Sequence, residues 1–426
     1  MSRVSFVYSN PRHHAEMMAP VMAALIGRGV RCRAVSMAEL RGFATSPLPV
    51  PGIDLRRAVP ARVRKDPSMG ASFGIEGGRA RPARRAAQLA VWAGWLAPRL
   101  AWLTRDSDAV VVPNDAAFPY REIASMSRMT GKPFVLMQEG IRFPLPGVRE
   151  EDAYGRGGAA AICAWGEASA EYFRSQGAPA DRIQVTGNPR FDGFDAGAWR
   201  TQGDALAREL GLARPPLLYL SNPIDDQGYC TTTEKMALFR RFADEVADLL
   251  AESGRMLVVK LHPREDVATF RRAAAESRAG ERVRVLDDVS IFAALACCGA
   301  AVVLASTVGL EALLFGRPLG VLAVPGAGFV FDYVQSGAAR GLELGDGLAG
   351  RVEALLGDGD GDGGSDGRGA AARGPANGAN GAAGATSEAS DPAGAVRARY
   401  LERHLAHRGS AAERIASLIE GLRRRA

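Results

Sequence analysis

ICAWGEASAEYFRSQGAPADRIQVTGNPRFD, running from Ile162 to Asp192, is the stretch on which the fold turns. A short apolar run, Ala161 to Trp165, stops at a glycine and hands over to a helix-like segment. A second run, Ile183 to Thr186, also stops at a glycine. A parallel sheet delivers its loops to one edge in this way, each strand ending in small, polar or glycine residues before a helix carries the chain back. Two later stretches have the same form: VVKLHPRED from Val258 and VLASTVGLEALLFGRP from Val303. All three loops are expected to face one cleft.

The pattern extends both ways from there. Val4 to Tyr8 reads as a strand, SNPRHH as a loop, Ala15 to Ile26 as a helix and Val30 to Val35 as the next strand. Ala109 to Pro113 and Pro133 to Met137 flank a helical stretch, Tyr120 to Thr130. After an Ala/Arg/Gly-rich stretch, Ala196 to Leu212, a second alternation begins, with strands at Leu217 to Leu220, Met256 to Leu261, Val283 to Leu286, Ala301 to Leu304 and Gly320 to Ala323. The expected fold is α/β: two Rossmann-like, doubly wound domains, 1–195 and 205–356, facing a cleft. From 357 to 395 the composition collapses to Gly, Ala, Asp, Ser and Asn, which cannot offset the entropy of ordering, so a disordered insertion is expected. Its DGDGDGGSDG run mimics a calcium loop but has Gly369 where the twelfth-position Glu belongs. The remainder, 396–426, carries an amphipathic helix with Ile415, Leu418, Ile419 and Leu422 on one face.

A chain of 426 residues with 47% hydrophobic content can bury a sizeable core, and at roughly 150 residues per domain two domains and a tail fit it. Its start has one Arg and an apolar run too brief for a signal peptide, so a cytoplasmic location is expected. Five cysteines, Cys32, Cys163, Cys230, Cys297 and Cys298, contain no C-x-x-C pair and suit a reduced protein. No metal site is read from them, and no D-x-D motif stands at a strand end. Asp225-Asp226 and Asp287-Asp288 are most simply loop and cap residues. The net charge of +6 gathers in arginine clusters, Leu55 to Lys65 and Gly78 to Gln88, without a base-stacking motif, so nucleic acid is not expected as a partner. Ala83 to Arg105, with Trp92, Trp95 and Trp102 between basic ends, is too broken to span a bilayer. It fits either a helix buried in the first domain with a basic rim or a peripheral contact with an anionic membrane.

The order of WGE, GNPRFD, KLHP and STVGLEALLFGRP resembles that of GT-B glycosyltransferases, including bacterial capsule-polysaccharide, sialyl- and Kdo-type transferases and CDP-glycerol glycerophosphotransferases. The similarity covers Ser2 to Leu356, and the motifs are shared with non-hydrolysing UDP-N-acetylglucosamine 2-epimerases. The resemblance implies a nucleotide-sugar donor, CMP-, CDP- or UDP-linked, held mainly by the second domain. It further implies a cell-surface glycan or lipid-linked acceptor at the first domain, no separate cofactor, and a final helix packed back on the N-terminal domain.

Within that frame, His262 and Pro263 end a strand, where an imidazole can donate to a phosphate oxygen or stabilise a leaving nucleotide; Lys260 and Arg264 flank them. A histidine satisfied within its own turn is the structural alternative. Ser306 and Thr307 precede a helix start and suit a phosphate or a simple N-cap. Glu311, one turn on, corresponds by resemblance to a ribose-binding glutamate, or else is a solvated helix residue. Ser221 and Asn222 open the first loop of the second domain, and Asn188 reads as a turn residue of the interdomain crossover. For the base that takes a proton from the acceptor hydroxyl, Glu139 stands first: QEG resembles the acidic-acidic-glycine motif of sialyltransferases, with Gln138 in place of its first acid. His14, beside His13 in the loop after the first strand, is the second candidate. The alternatives are a 2-epimerase, for which SNPIDDQGYC lacks the expected arginine-rich loop, a glycerophosphotransferase, and a non-catalytic protein on the same fold.

Overall fold

The computed structural model describes residues 2–10, 13–37, 47–55, 86, 89–142, 154–263, 265–286, 289–361 and 392–423. Most of the insertion, both arginine clusters, Arg264 and Asp287-Asp288 lie outside the described residues. The chain forms two compact units, Met1–Asp195 with Glu402–Ala426, and Ala196–Leu401.

The first unit is built on a seven-stranded sheet: β1 (Arg3–Tyr8), β2 (Arg31–Ser36), β3 (Gly52–Asp54), β4 (Ala109–Val112), β5 (Phe134–Met137), β6 (Ala161–Ala164) and β7 (Ile183–Val185). All pairs are parallel, in the order β3-β2-β1-β4-β5-β6-β7. AVVV, FVLM and AICA are buried throughout, as strands covered on both faces must be. Helices α1 (His13–Gly27), α2 (Ala97–Thr104), α3 (Tyr120–Met129) and α4 (Glu167–Ser175) connect the strands. One core gathers Val7, Val35, Val112, Tyr120, Phe134, Leu136 and Phe173.

The second unit has six strands, β8 (Leu217–Leu220), β9 (Leu257–Lys260), β10 (Val283–Leu286), β11 (Ala300–Val303), β12 (Leu319–Leu322) and β13 (Arg340–Leu342), all parallel in the order β10-β9-β8-β11-β12-β13. Its helices are α5 (Arg200–Glu209), α6 (Thr232–Glu245), α7 (Ala247–Ser253), α8 (Val267–Ala275), α9 (Ile291–Cys297), α10 (Val308–Leu314) and α11 (Leu348–Gly361). Tyr219 packs its ring 5.3 Å from Phe239 and 5.4 Å from Phe242, joining the sheet to α6.

Several boundaries differ from the sequence reading. The edge strands β3 and β13 carry no apolar run of their own and take extended form from their neighbours' backbone. The Ala/Arg/Gly-rich stretch is not a plain connector, since α5 buries Gly203 against Ala296, where a Cβ would meet the Ala296 methyl at 2.7 Å. Helix α11 continues past Leu356 into the glycine-rich run. The C-terminal region is two helices, α12 (Pro392–His404) and α13 (Ala411–Arg423), rather than one.

Helix α13 packs on α1, burying Ile415 and Ile419, and Arg28 on the α1 side bonds Glu413, Ser417 and Glu420. The opening stretch makes the rest of this joint. Trp165 O accepts from the N–H of Ala406 at 2.9 Å. A methyl at Gly166 would collide with the Arg403 carbonyl, and one at Gly187, whose φ is +86°, with that of Ala406. Asp192 caps α13 from far along the chain: Oδ1 accepts from Gly409 N and Ala411 N, both at 2.9 Å, and Oδ2 from Ala412 N at 2.7 Å. Asp192→Ala is therefore expected to lower unfolding free energy by about 1–3 kcal/mol in urea titration. The same variant should speed proteolysis within 402–423; parental stability and cleavage would contradict the cap.

Candidate active site

In each sheet, consecutive strands build outward in one direction and then in the other, leaving a switch point between two central strands, where α/β sheets open a crevice. In the first unit it lies between β1 and β4. There the N–H of Asn10 donates to Nδ1 of His14 at 3.1 Å, and that of Ser9 at a longer 3.4 Å. Because Nδ1 accepts, the hydrogen-bond network assigns the ring proton to Nε2, which donates to Glu139 Oε2 at 2.5 Å. Asn114, just past β4, donates Nδ2 to the other oxygen, Oε1, at 2.5 Å. Its own Oδ1 accepts from Ala116 N and Ala117 N at 2.8 and 2.9 Å, which fixes the amide orientation. Glu139 N donates to the Tyr154 hydroxyl at 2.8 Å, and that hydroxyl donates to Pro113 O at 2.7 Å. The carboxylate is thus held at both oxygens while its side chain keeps 23% exposure.

Burial by itself raises the Glu139 carboxyl, but His14, the Asn114 amide and the Arg142 guanidinium outweigh it and hold the group below the usual glutamate range. His13 stands beside this pair, its ring 5.8 Å from that of His14 and edge-on to Trp165 at 6.3 Å. Burial first, then the Arg190 charge, pushes its pKa down to about 3, so the ring is neutral at pH 7. The two sequence candidates therefore meet, but both ring nitrogens of His14 are already engaged.

Gln138, where the sialyltransferase-like motif has an acid, is fully buried. Nε2 donates to Gly140 O and Ser169 Oγ, both at 2.8 Å; Oε1 accepts from Trp165 N at 2.8 Å. The position calls for two donations and one acceptance, which the amide supplies and an ionised carboxylate, an acceptor only, cannot.

In the second unit the switch point lies between β8 and β11. Ser221 and Asn222 follow β8, His262 follows β9, and Ser306 and Thr307 follow β11, so parallel pairing gathers them at one sheet edge. Asn222 Nδ2 donates to Ala305 O at 2.7 Å, tying the β8 loop to the β11 loop. Ser306 Oγ accepts from Val308 N at 3.3 Å, a weak cap, while the Thr307 side chain makes no cap bond. Glu311 is buried, which removes the solvated-helix reading. Lys260 Nζ donates to Leu261 O at 2.9 Å. Asn188 serves a turn, accepting from Arg190 N at 3.0 Å.

Sequence reasoning missed Glu265 and Lys235. Glu265 Oε2 accepts from His262 N at 2.8 Å and Oε1 from Ser221 Oγ at 2.8 Å. Lys235 Nζ lies 3.2 Å from Glu265 Oε1 and 2.6 Å from Asp225 Oδ1. Burial alone would raise the Asp225 carboxyl, but Lys235 and Thr232 more than offset this and lower it. Asp225 is thus part of an ion network rather than a plain loop residue. Asn114 was missed as well, although a polar residue two positions after the AVVV run was a usable signal.

A family model described as capsule polysaccharide biosynthesis protein matches residues 230–329, the stretch carrying Lys235, His262, Glu265, Ser306, Thr307 and Glu311. No curated protein sequence matches the chain. Solved structures do. A Listeria monocytogenes protein assigned as a UDP-N-acetylglucosamine 2-epimerase matches at 16% identity and TM-score 0.60, over 100% of this chain and 97% of that one. Anabaena HepE in complex with UDP and glucose matches at 14% and 0.55, over 99% and 100%. A variant of the wall teichoic acid polymerase TagF matches at 12% and 0.55, over 100% and 89%. The α/β fold is accordingly of the GT-B kind, as the motif order implied.

Restoring the motif should damage the protein. Gln138→Glu removes the donor from Gly140 O and Ser169 Oγ and buries a carboxylate, so a loss of about 2–4 kcal/mol is expected in chemical denaturation. A parental midpoint would show that the amide is not required.

Proposed function

We propose that this chain is a glycosyltransferase that moves a sugar from a nucleotide-activated donor to a cell-surface polysaccharide or its lipid-linked precursor. The observation that carries this reading is Glu139, a carboxylate pinned at both oxygens beside a switch point yet partly open. In a direct displacement, the acceptor oxygen forms a bond to the anomeric carbon as the bond to the donor phosphate breaks. Glu139 takes the hydroxyl proton, and the electron pair leaves with the nucleotide. His14 orients the carboxylate through Nε2–H, an arrangement suited to positioning rather than proton abstraction. The donor contacts are assigned to the second unit, with His262, Ser306, Thr307 and Glu311 toward phosphate and ribose. The fold relatives that bind UDP, and the capsule family match, support a nucleotide-sugar partner.

Supplied with CMP-, CDP- and UDP-sugars and glycan acceptors, the protein should release nucleotide and form a glycoside. Glu139→Gln should keep donor affinity by calorimetry while turnover falls by about two or more orders of magnitude. Equal turnover in variant and parent would remove Glu139 from the chemistry. Isomerised donor, or product containing the donor's phosphate, would favour the epimerase or the glycerophosphotransferase instead.

A lipid-linked acceptor fits a second observation. Helix α2 and the π-helical turn before it bury Leu96, Leu100 and Leu103 but leave Trp95 37% and Trp102 63% exposed, and the Arg105 guanidinium lies 4.3 Å over the Trp102 ring. Tryptophan with arginine on an outer helix face suits a headgroup layer. Among the described residues no helix is long and apolar enough to cross a membrane. The double variant Trp95→Ser, Trp102→Ser is expected to lose co-sedimentation with phosphatidylglycerol vesicles while retaining turnover on a soluble acceptor. Unchanged sedimentation would dismiss the contact.

A further inference from the structure

The loops proposed to hold the donor are joined by a single carboxylate. Glu265, with its side chain only 2% exposed, gives one oxygen to the hydroxyl of Ser221 and the other to the backbone N–H of His262, while its own N–H donates to His262 O at 2.9 Å. The ends of the neighbouring strands β8 and β9 are thereby fastened together. Lys235 reaches the same carboxylate from α6 and is itself 7% exposed, with Asp225 on its other side and the Phe270 ring centroid 5.9 Å away. Thr232 Oγ1 completes the group by donating to Asp225 Oδ2 at 2.8 Å.

A buried cation between two carboxylates contributes little net stability by its presence, yet its removal leaves uncompensated charge. Such a network specifies one arrangement of the groups around it. We propose that Glu265 and Lys235 are the positioning pair of the donor site: Glu265 locks the Ser221 and His262 loops into one ledge, Lys235 supplies the countercharge, and neither touches the substrate. This rests on the donor reading above. A misplacement of about 1 Å in such a ledge is enough to cost substantial binding or rate.

The test uses the full chain in four forms: parent, Lys235→Met, Lys235→Arg and the isosteric Glu265→Gln, the last guarding against a methionine variant that fails to fold. Without ligand, hydrogen exchange at residues 221–224 and 261–263 should quicken together by about tenfold or more in Lys235→Met and return toward parental rates in Lys235→Arg. Affinity for UDP, CDP or CMP should fall about tenfold in Lys235→Met and Glu265→Gln, with turnover at saturating donor within about threefold of parent. Faster exchange confined to α6 would reduce Lys235 to a helix anchor and overturn the proposal. Weakened nucleotide binding with both loops at parental rates would make Lys235 a direct ligand contact, also against it. A parent that binds no nucleotide would sink the donor reading alone, since the exchange measurement still decides whether the pair holds the loops.

Discussion

A strand covered on both faces has no room for polar side chains along its length, and this constraint organises the rest of the molecule. In the central strands β4, β5, β6, β8 and β11 every residue is apolar or aromatic, and the polar residues of their loops follow the final strand residue. Parallel pairing then turns a restriction on sequence into a spatial arrangement. Every strand in a sheet ends at the same edge, so the few polar residues that the chain can carry there come together. His14, Asn114 and Glu139 are distant in sequence and brought together for this reason, as are Ser221 and the His262–Glu265 turn.

Adjacent residues at one strand end divide the work in the first unit. Gln138 is inside, its amide donating and accepting in the joint with Trp165 and Ser169. Glu139 is at the rim, held by donors that favour its charged form. Side chains one residue apart on an extended segment point opposite ways, so a single register places the structural amide inward and the partly exposed carboxylate outward. The departure of QEG from an acidic pair is thus a consequence of what surrounds Gln138.

The strands were readable because their apolar runs are nearly continuous, and Glu139, His14 and His262 were readable because each follows such a run. What escaped notice had no local signature. The edge strands β3 and β13 depend on a neighbour's backbone. Lys235 lies in TTEKMALFRRF, which reads as an ordinary helix with a charged face; its burial is imposed by Asp225 and Glu265 from other loops. The meaning of the opening stretch also shifted. Gly166, Gly187 and Asp192, read as parts of loops facing a cleft, receive the backbone of the C-terminal segment, a role that appears only when residues more than two hundred positions apart are seen together.

That joint bears on how the protein is made. Asp192 and the amide of Ala411 that it caps are 219 positions apart, and the whole second unit lies between them. At about 5–20 residues per second, a ribosome takes about 10–40 s to cover that distance. Throughout that interval the first sheet is present without its last helix, and the surface around Trp165 and Gly187 stays uncovered. The later-synthesised unit can therefore close its own core before the earlier one is complete, reversing the usual order in which domains finish folding.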